Sequence, residues 1–311
     1  MKYGFGVDLG GTTVKLAYFD QEGTLLSKWE IPTVTDDQGK QILPDIAASI
    51  KGSLRENLIS DDQILGIGIG VPGPVDGQGV VNRCVNLGWG VFNIEEELSA
   101  LTGFPVKAGN DASVAALGEC WKGGGHGYRN MVMATLGTGV GGGIVIDGKV
   151  IRGSHGAGGE IGHMVLNRNS TATCNCGKNG CVETYCSATG IVRVAKMYLK
   201  VSEADSCLRQ IENLTCKDIF DAGKTGDVVA QEILEKVYSY IGEFLANICC
   251  VVDPEIIVLG GGVSKAGQPL VDGVQRYFEK YAFNPCRDTR LTLATLGNDA
   301  GAYGAFKLIL D

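Results

Sequence analysis

The sequence predicts an α/β protein built from two similar βββαβα domains flanking a cleft, and three internal echoes carry that expectation. An apolar strand, a glycine turn and a second apolar strand open the chain between Tyr3 and Phe19 and return between Met131 and Ile146. The strand Ile67 to Gly70 running into Val71-Pro72-Gly73 matches Ile256 to Leu259 running into Gly260-Gly261-Gly262. Gly109-Asn110-Asp111-Ala112 reappears as Gly297-Asn298-Asp299-Ala300, and the order of all three echoes is preserved.

Tyr3 to Leu9, a Gly10-Gly11 turn, Thr13 to Phe19, a Gln21-Glu22-Gly23 turn and Thr24 to Glu30 read as a three-stranded meander. Ile42, Ile46, Ile50, Leu54 and Leu58 recur every fourth residue, the spacing of one helix face. After Val106 to Ala108, a strand, an alanine-rich helix begins near Asp111. The second half repeats the grammar with Met131 to Leu136, a Gly137-to-Gly143 loop, Ile144 to Ile146, an Asp147-Gly148 turn and Lys149 to Ile151. Ile233, Val237, Ile241 and Leu245 mark a helix that stops at Asp253-Pro254. The second half is the longer, and its surplus falls in the cysteine-bearing stretch 153–226. The expected domains are therefore 1–115, completed by a C-terminal helix 300–311, and a larger 116–299 that carries the insertion.

Composition narrows the partners. The 311 residues (32.7 kDa) are 44% apolar and 20% charged with 47 glycines and 8 prolines, which suits a globular chain full of tight turns. A net charge of −8 argues against a sequence-independent grip on nucleic acid. Met1 to Gly10 lacks an apolar signal core, and the uncharged stretch Asn130 to Ile146 is too rich in glycine to span lipid, so no membrane association and a cytoplasmic location are expected. Eleven cysteines without a secretory signal point to reduced thiols and a metal site rather than a disulfide framework.

Three glycine loops suggest where an anion would sit. Asp8-Leu9-Gly10-Gly11-Thr12-Thr13 sets two glycines and two hydroxyls in a turn where backbone N–H groups can face a phosphate, although a plain glycine hairpin would read the same apart from Asp8. Gly137, Gly139 and Gly142 formally spell G-x-G-x-x-G. A dinucleotide fingerprint, however, opens a helix and has an acidic residue about 20 positions on, whereas Ile144-Val145-Ile146 and a turn follow here. A second phosphate hairpin explains both loops together. Gly260-Gly261-Gly262 ends a strand, where small residues let a flat ring or ribose approach the backbone, or where the chain simply turns into a helix.

Cys174, Cys176 and Cys181 place three thiols within eight residues, with His163 upstream. Three sulfurs and one imidazole make a closed tetrahedral Zn²⁺ set, though C-x-C is tighter than the usual spacing. The remaining cysteines, among them Cys186, Cys249 and Cys250, read as small core residues, and His126 and His155 as surface or core histidines. Asp111 is either a helix N-cap or a catalytic carboxylate, and its echo Asp299 shares the same local pattern.

The motifs Asp8-Leu9-Gly10-Gly11-Thr12, E-x-G-H at Glu160 to His163 and C-x-C-G-x-x-G-C-x-E at Cys174 to Glu183 resemble those of the ROK family (repressor, open reading frame, kinase). Those are sugar kinases of the actin-like ATPase, or ribonuclease H-like, fold, and the likeness runs on to the final Gly304-Ala305-Phe306 helix. The resemblance implies ATP with its β and γ phosphates on Asp8, Gly10, Gly11, Thr12 and Thr13 and on Gly137, Thr138 and Gly139, with Gly261 and Gly262 bordering the adenosine. Asp8 would orient Mg²⁺ through water. Family members often carry Lys or Asn where this chain has Thr13.

It further implies structural Zn²⁺ on His163, Cys174, Cys176 and Cys181, a sugar held by Gly73, Asn110, Asp111, Glu160, His163 and Glu183, and Asp111 as general base with Asp299 its structural counterpart. Asn86-Leu87-Gly88-Trp89 is similar to a segment of ROK glucokinases, so ATP-dependent phosphorylation of the 6-hydroxyl of glucose is expected. N-acetylmannosamine or N-acetylglucosamine kinases share the same Asp and Glu residues and are the alternative. A sugar-responsive repressor of the same family would carry a helix-turn-helix ahead of the body, whereas the phosphate strand here begins within eight residues of the start. A homodimer is what the family implies.

Overall fold

Strands β1 (Tyr3–Leu9), β2 (Thr13–Asp20) and β3 (Leu25–Pro32) form the opening meander, antiparallel throughout, with Asp8 opposite Lys15. β4 (Ile64–Val71) runs parallel to β1. β5 (Val80–Cys84) and β6 (Trp89–Asn93) make a separate two-stranded ribbon, and β7 (Val106–Asn110) runs parallel to β4. The first sheet has the order β3-β2-β1-β4-β7. β8 (Met131–Leu136), β9 (Val140–Ile146), β10 (Lys149–Val150), β11 (Ile256–Gly260) and β12 (Arg290–Leu293) follow. Their order, β10-β9-β8-β11-β12, repeats the topology of the first sheet. The βββαβα repeat thus stands, and each sheet gains a further strand and helix: β7 with Asp111–Lys122, and β12 with Ala300–Leu308.

This computed structural model describes residues 1–310; Asp311, the last residue of the expected C-terminal helix, lies outside the described residues. The chain divides into two compact units. One comprises Met1–Arg129, Gly143–Gly159 and the segment from Thr295 onward; the other comprises Asn130–Gly142 and Glu160–Ala294.

The core of the first unit follows from alternation in the strands and fourfold spacing in the helix. Phe5, Val7, Leu9, Ile67 and Ile69 meet Ile42, Ile46, Ile50 and Leu54 of the helix Ile42–Glu56, all buried. Leu58 is a correction to the helical reading: it is 92% exposed and adopts a left-handed φ of 54°. The helix has already ended at Glu56, and the turn at Leu58 sends Ile59 against the core in its place. On the opposite face of the sheet, Ala17 and Phe19 pack on Ala302 and Phe306, with Trp121 alongside.

Glycine lets the C-terminal helix lie that close. A Cβ on Gly68 would stand 1.6 Å from the carbonyl oxygen of Ala305, and one on Gly304 would stand 1.7 Å from that of Val114. Neither gap admits a side chain. The same joint holds a fully buried carboxylate: Glu119, 0% exposed, accepts hydrogen bonds from the backbone N–H groups of Gly124 (2.8 Å), Thr295 (3.0 Å) and Leu296 (2.8 Å).

The expected Gly137-to-Gly143 loop is shorter than its glycine content suggests, because β9 begins at Val140 and absorbs Gly141, Gly142 and Gly143. The helix over Ile233 to Leu245 extends from Val228 to Val252, and its amphipathic winding buries Cys249 while turning Cys250 outward, so Cys250 is not a core residue. His126 and His155 are both exposed. Among the described residues, no helix is long and apolar enough to cross a membrane.

Candidate functional site

In the first unit the glycine turn is built by its own strands. Gly10 N–H donates to the carbonyl of Thr13 (3.0 Å), while Thr33, the residue after β3, donates its N–H to the Thr12 carbonyl (2.9 Å) and its hydroxyl to the Gly10 carbonyl (2.8 Å). With two carbonyls turned toward Thr33, the exposed tip Gly11-Thr12 is the part of the loop presented outward. Asp8 closes β1 with its carboxylate 3.5 Å from Lys15 Nζ. Burial pushes its pKa up, and the Lys15 ammonium acts against that rise. The side chain is packed against Gly301, where a Cβ would come within 2.6 Å of its carboxyl carbon.

The register of β4 against β7 sets Val71 beside Asn110 and so brings Pro72-Gly73 to the start of the helix Asp111–Lys122. Asn110 is the helix cap, its Oδ1 accepting from Ser113 N–H at 3.1 Å. Its Nδ2 donates to the Gly73 carbonyl (3.3 Å) and to Asp111 Oδ1 (3.0 Å), and Ala112 N–H also donates to that oxygen (2.8 Å). The N-cap alternative for Asp111 therefore falls: the cap lies one residue earlier, and Asp111 is the first helical residue. Its echo differs. Asp299 ends a 3₁₀ turn with no capping bond from its side chain, and its carboxylate pairs with Lys28 at 2.8 Å on the wall of a cavity of about 310 Å³. A buried thiol joins the group, since Cys84 donates to the Pro72 carbonyl at 2.8 Å; burial, and secondarily the charge of Asp111, push its pKa up. Nothing in the sequence around Cys84 distinguishes it from the other core cysteines.

The second unit gathers the remaining residues. His163, Cys174, Cys176 and Cys181 converge with their donor atoms all within 4.8 Å of one another. His163 Nδ1 lies 3.5 Å from Cys174 Sγ, Cys176 Sγ lies 3.7 Å from Cys181 Sγ, and the tight turn is closed by Cys174 N–H on the Lys178 carbonyl (2.8 Å). The donor chemistry fits a soft tetrahedral cation, three sulfurs and one nitrogen, with no carboxylate among them. Burial pushes the Cys174 thiol up to about 12, so its thiolate needs a cation beside it, whereas the backbone N–H of Lys178 holds the exposed Cys176 below the usual range. The other imidazole nitrogen, Nε2, faces Glu160 at 3.8 Å.

Glu183 connects this knuckle to the second glycine turn. Its Oε1 lies 3.4 Å from Cys174 Sγ and its Oε2 accepts from Val140 N–H at 3.1 Å. Ala188 N–H donates to the Gly137 carbonyl (2.8 Å), and Thr189 Oγ1 donates to the Thr138 carbonyl (3.0 Å). Gly260 pairs with Thr135 in register, and Gly261, at φ 83°, sits against the backbone of Leu136, so the third loop borders the second turn. Ser187 and Thr189 do not stand out in the sequence, where Ser-x-Thr ahead of a helix signals only a cap.

Each unit thus assembles its own share: Asp8, the first turn, Gly73, Asn110 and Asp111 in one; the second turn, Glu160, His163, the three cysteines, Glu183, Gly261 and Gly262 in the other. Two sheets of one topology, each opening on a strand–glycine turn–strand, are the hallmark of the actin-like ATPase fold, and solved structures of that architecture match nearly the whole chain. The ROK family model matches residues 4–311, and the chain belongs to that family. It is 42% identical over 309 residues to a glucokinase of Halalkalibacterium halodurans, covering 98% of this chain and 94% of that protein. A glucokinase of Thermotoga maritima is 34% identical over 98% of this chain and 96% of its own length. The crystal structure of a ROK family glucokinase from Streptomyces griseus, in complex with glucose and AMPPNP, matches with a TM-score of 0.75 at 31% identity, covering 98% of both chains.

Proposed function

We propose that this chain is an ATP-dependent glucokinase that transfers the γ phosphoryl group of ATP to the 6-hydroxyl of glucose, with Asp111 as the general base. The observation that carries the assignment of the base is the cap at Asn110. Because Asn110 satisfies the helix terminus, Asp111 keeps a carboxylate whose geometry is set by Asn110 Nδ2 and Ala112 N–H rather than spent on capping. The 42% identity to a glucokinase over nearly the whole chain supports glucose as the acceptor.

Asp111 takes the proton of the 6-hydroxyl as that oxygen bonds to the γ phosphorus, and the bond from phosphorus to the β–γ bridging oxygen breaks to release ADP. Such transfers depend on positioning and on charge stabilisation. Gly10 to Thr13 and Gly137 to Gly139 would offer backbone N–H groups to the phosphates, and Gly261 and Gly262 would border the adenosine. Asp8 would hold Mg²⁺ through water, and that cation would supply positive charge for the phosphoryl oxygens. His163, Cys174, Cys176 and Cys181 would hold a structural Zn²⁺, a cross-link that keeps Glu160, His163 and Glu183 aimed at sugar hydroxyls. Drawing on ATP, the enzyme belongs in the cytoplasm.

Coupled ADP release over a panel of hexoses and N-acetylated amino sugars tests the acceptor: the fastest turnover is expected with glucose, and preference for an N-acetylated sugar would overturn it. Asp111→Asn should still bind glucose but lose more than ~10²-fold in kcat; unchanged turnover would reassign the base.

A further inference from the structure

The second glycine turn is anchored along its length to one short segment, and that segment begins with a carboxylate. Val140 N–H, the first peptide group after the turn, donates to Glu183 Oε2, and a Cβ on Gly139 would stand 2.3 Å from the same oxygen. Gly137 and Thr138 are held by Ala188 N–H and the Thr189 hydroxyl. Ser187 Oγ packs beside this anchor, 3.0 Å from Thr189 Oγ1, and donates to the Glu183 carbonyl at 2.7 Å. The negative charge of Glu183 therefore lies directly against a loop whose backbone would receive phosphates.

We infer that Glu183 is a positioning residue that couples the two substrates, an inference that rests on the glucokinase assignment. Without sugar, the Glu183 carboxylate stands against the turn and repels an incoming polyphosphate. A sugar hydroxyl donating to Glu183 disperses that charge and draws it away from Val140, so the nucleotide binds more tightly once the sugar is in place. Linkage makes the effect reciprocal, and coupling between two ligands is commonly on the order of tenfold. The device would disfavour ATP binding, and hence its hydrolysis by water, when no sugar is present.

The test is titration calorimetry of Mg·AMPPNP with and without saturating glucose, on the wild type, Glu183→Gln and Thr189→Val, each with its metal content checked. In the wild type glucose should lower the nucleotide Kd on the order of tenfold. Glu183→Gln should bind the nucleotide more tightly than the wild type in the absence of sugar, and glucose should then change that Kd by less than about twofold. Thr189→Val removes an uncharged anchor, so it should weaken nucleotide binding while leaving the ratio with and without glucose intact. A Glu183→Gln protein that binds nucleotide alone no more tightly than the wild type overturns the coupling, as does a Thr189→Val protein that loses the ratio. If the wild type neither binds nor phosphorylates glucose, the glucokinase assignment fails instead.

Discussion

Glu119→Ala removes the acceptor of three backbone N–H groups at a point no solvent reaches. Gly124, Thr295 and Leu296 all donate to its carboxylate, and the side chain is 0% exposed. A buried donor left without a partner costs about 1–3 kcal/mol, so three of them cost about 3–9 kcal/mol, a large share of the roughly 5–15 kcal/mol by which a domain is stable. Water entering the vacated space would recover part of that, leaving a net loss of about 3–5 kcal/mol, at the upper end for a single substitution. Glu119→Gln keeps the shape but only one accepting oxygen. Turned toward the Oε2 position it can still receive Gly124 and Thr295, stranding Leu296, so about 2 kcal/mol is expected. Urea unfolding followed by circular dichroism reads both values from the midpoint shift at unchanged slope. Because Thr295 and Leu296 lead into the helix that backs Asp8, the Ala variant should also lose turnover before it unfolds globally. An Ala variant within about 0.5 kcal/mol of the wild type, the level of an ordinary surface substitution, would refute the clamp.

Asp8→Asn should make the protein more stable at pH 7 while abolishing activity. Burial raises the folded-state pKa of Asp8, so the ionised carboxylate costs stability as pH rises through that raised value, and the cost is absent below the ordinary value of 3.8. Unfolding midpoints at pH 7 and at about pH 3 check this; no gain at pH 7, or an equal gain at both, would contradict it. Cys176→Ala should release the metal and weaken glucose binding, as read by atomic absorption and calorimetry. Wild-type protein freed of zinc that still binds glucose with full affinity would remove the cross-link from the account.

Patterns carried by neighbours in the chain are legible in the amino-acid order itself. Apolar runs that end at glycine turns, Tyr3 to Leu9 and Met131 to Leu136, define strands whose bounds the structure reproduces, because strand formation answers to residues within a few positions. The convergence of Cys174, Cys176 and Cys181 is legible for the same reason, since the three lie within eight residues of one another, whereas His163 joins them from farther up the chain. Leu58 misleads because periodicity cannot see where a helix stops, and the run Gly141 to Gly143 misleads because glycine suits a tightly packed strand as well as a loop. Cys250 misleads because neighbouring helix positions face different ways.

By itself the sequence determined the repeat, the two glycine turns, the grouping of three cysteines with an upstream histidine and the family to which the chain belongs, all of them written in local spacing. Tertiary structure alone decided that Asn110 reaches the Gly73 carbonyl, that Glu119 receives Thr295 and Leu296, and that Glu183 reaches back to Val140. Those pairings depend on which strands lie side by side and how closely two helices cross. Proximity of that kind is set by packing among residues far apart in the chain, and no local pattern encodes it.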